Sequence, residues 1–388
     1  MSRGLLFLLL TTVALGAAEV KLPDPLLTQG GQKVESASVW KTTRRPEILE
    51  LFRENVYGRA PLGRPEKMSF KVMESDPNAM NGKATRKLVD ISFAGPGGEE
   101  TIHLVLFIPN TPVKPAPCLL LICNRDPANI DPTRKVKSPF WPAEQIVARG
   151  YAAAAFHNAD VAPDKYDQFT TGVFKIFDPP QGCRADSWGT ITAWAWGASR
   201  VMDYLETDRD IDAGKVAVVG HSRGGKTALW AGAQDERFAM VVSNDSGSTG
   251  AALARNKRGE HIRDINRAFP HWFCANYKRF NDREAALPVD QHELAALIAP
   301  RLLYIASASE DKGSDPKNEF LSAVHAGPVY KLFGLEGLGT AGMPKAESPL
   351  QSGFIAYHLR TGKHDLTEYD WQRFMDFADK HHWHLMTP

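Results

Sequence analysis

Gly220-His221-Ser222-Arg223-Gly224 places a serine between two glycines in the pattern G-x-S-x-G. A serine hydroxyl is a weak nucleophile until a base takes its proton and donors steady the oxyanion that its attack creates. The chemistry on offer is acyl transfer through a covalent intermediate, and it needs a histidine and a carboxylate brought from elsewhere in the chain. In a strand-to-helix elbow of this pattern the histidine comes last in chain order, on a loop after the final strand. His364, in Arg360-Thr361-Gly362-Lys363-His364-Asp365, follows the apolar stretch 353–359 and precedes a helix-like stretch at 367–384, so it takes the role of base. His221 adjoins the serine but points elsewhere in an elbow, and His381, His382 and His384 fall on the terminal helix-like stretch, where a solvated face accounts for them. Two carboxylates compete to orient the imidazole: Asp245, in Ser243-Asn244-Asp245-Ser246-Gly247, and Asp311, in Ser309-Glu310-Asp311. Each follows an apolar run whose carboxyl end is where ligand sites form in α/β sheets. Asp311 has the usual slot, and a helix cap is the plainer role open to Asp245.

These residues need a scaffold. CLLLIC (118–123), YAAAAF (151–156), KVAVVG (215–220), AMVVSN (239–244), RLLYIAS (301–307) and VYKLF (329–333) are short continuous apolar runs. Such runs suit strands covered on both faces, as in a parallel sheet. Helix-like stretches at 187–206, 224–234 and 367–384 alternate with them, which implies an α/β sheet with right-handed crossovers. Ahead of this, 45–56 has helical spacing, and 87–95 with 102–108 read as an antiparallel hairpin around a Gly-rich turn. Ser222 thus follows a strand and opens a helix, the context an elbow requires: glycines relieve the tight turn, and the helix N-terminus aims N–H groups at a developing oxyanion. Long loops at 124–142, 158–186, 245–291 and 334–352 are the material for a pocket.

The 388 residues carry a formal net charge of +1, which gives no basic field for nucleic acid. Met1-Ser2-Arg3, the apolar residues from Leu5 to Leu15 and the small Gly16-Ala17-Ala18 have the layout of a signal peptide, with cleavage after Ala18. The run is short of the roughly 20 residues a membrane span needs, so no stable anchor is expected. Residues 19–388 are then one catalytic domain with long loop insertions, secreted or periplasmic, and a monomer. Pro-rich Leu22 to Leu27 reads as an extended arm. Cys118, Cys123, Cys183 and Cys274 contain no CxxC pair; buried free thiols are expected, with a bridge involving Cys183 the alternative.

Thr192-Ala193-Trp194-Ala195-Trp196-Gly197-Ala198-Ser199-Arg200, Gly220-His221-Ser222-Arg223-Gly224-Gly225-Lys226 and Ser243-Asn244-Asp245-Ser246-Gly247 resemble the glucuronoyl esterases, carbohydrate esterase family 15, in their bacterial form. Phe269-Pro270-His271-Trp272-Phe273 and Ala308-Ser309-Glu310-Asp311 are similar too, so the resemblance spans roughly residues 85–385. It implies an α/β-hydrolase fold, a mostly parallel sheet between two helical layers. The implied reaction cleaves the ester between a 4-O-methyl-glucuronic acid branch of xylan and a lignin alcohol, with no metal or organic cofactor. Ser222 becomes the nucleophile and His364 the base. Arg223 places its guanidinium by the oxyanion, Lys226 and Glu260 hydrogen-bond sugar hydroxyls, and Trp272 lies on the substrate. The family draws its triad acid from either slot, and many members keep glutamate where this chain has Asp245. The side chain here is a methylene shorter, which favours Asp311 as main acid with Asp245 supporting. Related bacterial enzymes often carry a tryptophan two residues after the acid, where this chain has Gly313, so that stacking wall is missing or supplied by another residue. Positive charge at Arg223 and Lys226 also suits a reaction whose acyl product is an anion. The competing readings are an acetyl xylan esterase or another secreted serine hydrolase. A prolyl-oligopeptidase-like enzyme needs a propeller that the 80 or so residues ahead of the sheet cannot build. A non-catalytic binding protein on the same scaffold is disfavoured by the intact serine, histidine and carboxylates.

Overall fold

The computed structural model describes residues 21–111, 115–178 and 182–383; the expected signal segment 1–18 and His384 lie outside them. Nine strands form one sheet: β1 (Lys67–Asn78), β2 (Ala84–Gly95), β3 (Gly98–Pro109), β4 (Ala116–Cys123), β5 (Ala152–His157), β6 (Ile211–His221), β7 (Met240–Asn244), β8 (Leu302–Ala308) and β9 (Ile355–Arg360). Their spatial order is β1-β2-β3-β5-β4-β6-β7-β8-β9. The first three strands and the β3–β5 pair are antiparallel, and every pairing from β5 to β9 is parallel. The expected hairpin is β2–β3, closed at Gly95 and Gly98.

Strand pleating sends alternate residues to opposite faces, and both faces here are apolar. Cys118, Leu120 and Ile122 of β4 join one core, and Leu119, Leu121 and Cys123 join the other. The first core is closed by α1 (Arg45–Phe52), α3 (Thr190–Leu205), α4 (Arg223–Gln234) and α6 (Pro316–Lys331), through Phe52, Trp194, Trp230 and Phe320. The second is closed by α2 (Ala143–Ala148) and α7 (Glu368–Lys380), through Ile146, Trp371 and Phe374. A further short helix, α5 (Gln291–Ala296), packs beside α6. The result is the three-layer α/β-hydrolase arrangement that the run of strands and helices implies.

Two elements depart from expectation. VYKLF (329–333) is not a strand: it is the last turn of α6 and the chain just beyond. The helix starts with Asp315 capping the Asn318 N–H and Pro316 in its first turn, and buries Phe320, Ala323, Ala326 and Tyr330 at helical spacing. A five-residue apolar run cannot by itself separate a strand from the buried stripe of a helix. The other is β1, which the sequence does not announce. It is an edge strand, mostly exposed, with a bulge between Val72 and Glu74, so it shows no apolar alternation. All four cysteines are free, with Cys118, Cys123 and Cys274 buried and Cys183 exposed, so no bridge forms at Cys183. Among the described residues no helix is long and apolar enough to cross a membrane.

Candidate active site

β6 ends at His221 and α4 begins at Arg223, leaving Ser222 alone between them with φ 57° and ψ −122°. That left-handed backbone is costly for a residue with a Cβ and persists only where the surroundings enforce it. Ser222 N–H donates to Asn244 O at 2.8 Å, which ties the turn to the neighbouring strand. The glycines are required sterically: a Cβ on Gly220 lies 1.9 Å from Gly224 O, and one on Gly225 lies 2.9 Å from Ser246 Cβ. The first N–H groups of α4 have no acceptor within the helix and face the serine end of it.

The strands beside the elbow deliver the partners. His364 Nδ1 lies 2.6 Å from Asp311 Oδ2, beyond the end of β8. Ser314 donates its hydroxyl to the same oxygen and its N–H to Oδ1 at 3.2 Å. Burial works to raise the Asp311 carboxyl, but the hydrogen bonds from His364 and Ser314 outweigh it and hold the group below the usual carboxylate range. With Nδ1–H donated to Asp311, Nε2 of His364 is the atom left to accept a proton. The loop carrying His364 is laced to β8 by Ser309 N–H to Arg360 O and Glu310 N–H to Gly362 O, at 2.8 and 2.9 Å.

Asp245 begins no helix. It follows β7 with φ 44°, its Oδ2 accepts the Asp365 N–H at 3.2 Å, and its Oδ1 has no partner among the described residues. Burial pushes its carboxyl well above the usual range, Glu319, Asp311 and Asp370 add to the effect, and Arg360 opposes it. One ligand atom each from Asp245, Asp311 and His364 lies within 4.8 Å of the others. The 2.6 Å between Asp311 Oδ2 and His364 Nδ1 is a hydrogen-bond distance, shorter than the roughly 3.3 Å between tetrahedral metal ligands at ordinary bond lengths.

His221 does not point elsewhere as expected: its ring lies beside that of His364. It is buried, its Nδ1 meets Asn244 Oδ1 at 2.6 Å, its Nε2 meets Arg125 Nη2 at 3.2 Å, and its ring centre is 4.5 Å from that of His364. An Nδ1–H donor and an Nε2 acceptor satisfy both contacts, which makes the ring neutral; burial and then the His364 charge hold its pKa well below the usual histidine value.

On the other side of Ser222, the Arg223 guanidinium lies over the rings of Trp272 and Phe269, at 5.0 and 5.4 Å, and pairs with Asp164. Lys226 is 4% exposed, donates to Ser246 O, and sits 5.9 Å from the Trp272 ring centre. Burial brings its pKa down to about 8, with the Glu260 charge opposing. Glu260 is held by its backbone, N–H to Gly313 O at 3.0 Å. Ser222, Arg223, Lys226, Asp245, Glu260, Trp272, Asp311 and His364, the eight residues singled out in the sequence, all line one cavity of about 240 Å³. Gly313 also lines it, and a Cβ there meets only Asp311 Oδ1, at 3.6 Å, so the wall is open at that point.

Several supporting residues escape sequence reasoning. Asp164 follows β5, a strand end where a site residue could have been sought. Glu319 is buried in α6, accepts from Gly247 N–H and Ser307 Oγ at 2.8 and 2.6 Å, and is pushed up to about 7 by burial. Nothing in its sequence context marks it. Arg360 and Asp370 are likewise visible only once the chain is folded.

Known proteins resemble this chain over most of its length. Residues 136–334 match the family described as glucuronyl esterase, fungi. A carbohydrate esterase, MZ0003, from an unknown prokaryotic organism is 40% identical over 93% of this chain and 89% of its own length. A 4-O-methyl-glucuronoyl methylesterase of Phanerochaete carnosa is 28% identical over 81% of this chain and 73% of its own. Among solved structures, the glucuronoyl esterase from Solibacter usitatus superposes with a TM-score of 0.87 at 42% identity, covering 92% of this chain and 97% of that one. A CE15 esterase from a marine bacterial metagenome, described as promiscuous, gives 0.85 at 40% identity, covering 94% and 97%.

Proposed function

The chain belongs to the glucuronoyl esterases of carbohydrate esterase family 15, carboxylic ester hydrolases on the α/β-hydrolase fold, and on that premise we propose that it cleaves 4-O-methyl-glucuronoyl esters joining glucuronoxylan to lignin alcohols, through an acyl-enzyme on Ser222. The observation that carries the site assignment is the convergence of all eight residues on one cavity, with His364 already paired to Asp311.

Ser222 Oγ attacks the ester carbonyl while His364 Nε2 takes its proton, and Asp311 holds the imidazole and steadies its charged form. The carbonyl oxygen becomes an oxyanion beside the N–H groups of the first turn of α4 and the Arg223 guanidinium. When the tetrahedral centre collapses, the bond to the alcohol breaks and His364 returns the proton to the leaving oxygen. Water then enters, gives a proton to His364 and attacks the acyl carbon. Collapse of that second intermediate frees the uronate and restores Ser222. Lys226, Glu260 and Trp272 hold the sugar. Lys226 and Arg223 also offset the charge of the uronate product.

The test is hydrolysis of benzyl glucuronate against acetyl esters. The expected result is faster turnover of the glucuronate; equal or greater activity on acetyl xylan overturns the substrate assignment. A wider ester scope is the second reading. It is supported by the open wall at Gly313 and by the relative described as promiscuous. Residues 19–388 form one catalytic domain in this reading, exported by the apolar leader and active as a monomer outside the cytoplasm. The single nine-stranded sheet supports the one domain, and the leader's composition supports the export.

A further inference from the structure

Asp164 lies in the loop after β5, outside the residues that line the cavity. Its two oxygens are divided between two parts of the site. Oδ2 pairs with Arg223 Nη1. Oδ1 accepts from Trp272 Nε1 at 2.8 Å and from His271 Nε2 at 3.0 Å. Burial acts to raise the carboxyl, but the hydrogen bonds from His271 and Trp272 and the charge of Arg223 hold it below the usual range, so it remains an anion with donors on both sides.

The guanidinium and the indole that this carboxylate joins are also stacked on each other, 5.0 Å from guanidinium carbon to ring centre. Arg223 Nε is buried without a partner among the described residues, and there the end of that side chain is fixed by Asp164 and the aromatic faces of Trp272 and Phe269. A long arginine side chain has much rotamer freedom to lose. Held in advance, it costs no reorganisation when the oxyanion appears.

We propose that Asp164 is a positioning residue for ester hydrolysis, one carboxylate that locks the Arg223 guanidinium beside the reacting carbonyl to the Trp272 wall of the sugar pocket. Through it, the sugar-binding wall and the charge-stabilising group move as one body. Its negative charge also balances Arg223, which limits how tightly the anionic uronate product is retained. The proposal rests on Arg223 acting at the carbonyl, as put forward above.

Asp164→Asn separates the two halves. The asparagine oxygen can still accept from Trp272 and His271, while its amide presents a donor to a guanidinium that has only donors. The measurement is a cycle of wild type, Asp164→Asn, Arg223→Ala and the double variant, with kcat and KM for benzyl glucuronate and for an acetyl ester too small to reach Trp272. A misplaced group of this kind costs about 10- to 100-fold in kcat. That loss is expected for both substrates, with KM for the acetyl ester unchanged. The double variant should be no slower than Arg223→Ala within about twofold, the signature of two residues acting through one interaction. Fold-losses that multiply in the double variant, or an Asp164→Asn enzyme within twofold of wild type, overturn the proposal. Full activity of Arg223→Ala alone overturns the role of Arg223 instead, and is seen separately. If the asparagine variant does not fold, Asp164→Ala goes through the same cycle with the same outcomes.

Discussion

Asp311 meets His364 Nδ1 at 2.6 Å and stays ionised with the help of Ser314, whereas Asp245 is buried with one oxygen unpartnered and is driven toward the neutral acid. The two aspartates should therefore respond differently to the same substitution. Asp311→Asn is expected to lower kcat about 10³- to 10⁴-fold, the cost of losing the group that sets the imidazole tautomer. Asp245→Asn, a near-isostere of the protonated acid, should cost less than about tenfold by the same measure; an inactive Asp245→Asn enzyme beside an active Asp311→Asn one reverses the assignment. Ser222→Ala should abolish turnover and leave cooperative unfolding intact. Lys226 carries its charge below about 8 and loses it above. If the ammonium holds the sugar, kcat/KM for a glucuronate ester falls as pH rises through that value, and Lys226→Gln removes that limb of the pH profile. At this scale the sequence named residues that the fold brings together where a residue type points to one chemistry, as with Ser222 and His364, which line one cavity. It was silent on Asp164 and Glu319, whose importance comes from partners far along the chain.

The loop that presents His364 is not left to its own conformation. Arg360, the last residue of β9, donates to the carbonyls of Thr361, Lys363 and Asp365 at 2.9–3.2 Å, and so grips the backbone on both sides of His364. Asp370 in the first turn of α7 holds Arg360 Nε, accepts from His358 Nε2 at 2.8 Å and takes the N–H of Thr367 at 2.7 Å. Removing one partner of a buried ion pair leaves the other uncompensated, so Asp370→Asn should cost about 3–5 kcal/mol of stability, read from denaturant midpoints. Burial works to raise the Asp370 carboxyl, and His358 and Arg360 outweigh it, so its pKa is lower folded than unfolded. Its contribution is therefore present above the ordinary value of about 4 and disappears as pH falls through the lower folded value. Acid titration of stability should be shallower in the variant than in the wild type. Elements differed in legibility for a related reason. β4 and β6 are covered on both faces and read as apolar runs, while β1 has one wet edge and little to bury. The 329–333 run was ambiguous because only the residues before it, from Phe320 onward, show the helical spacing.

Across the molecule, the parallel half of the sheet carries the candidate site, and the first three strands contribute no residue to the cavity. The fold class was legible because strand and helix signals alternate over most of the chain. Eight of the residues that line the cavity could be named from the sequence, but not its shape, since it is assembled from the ends of β6, β7 and β8, the His364 loop and the 245–291 insertion, which meet only when the sheet closes. Nothing in that assembly depends on a sulfur bridge. All four thiols are free, and burial pushes Cys123 and Cys274 up to about 11, where attack by an oxidant on the thiolate is rare. A reducing agent should leave the thermal midpoint unchanged. The practical consequence lies in manufacture: the enzyme can be made in a reducing cytoplasm without an oxidative folding step. Cys183, the one exposed thiol, is then a single natural handle for coupling the protein to a solid support.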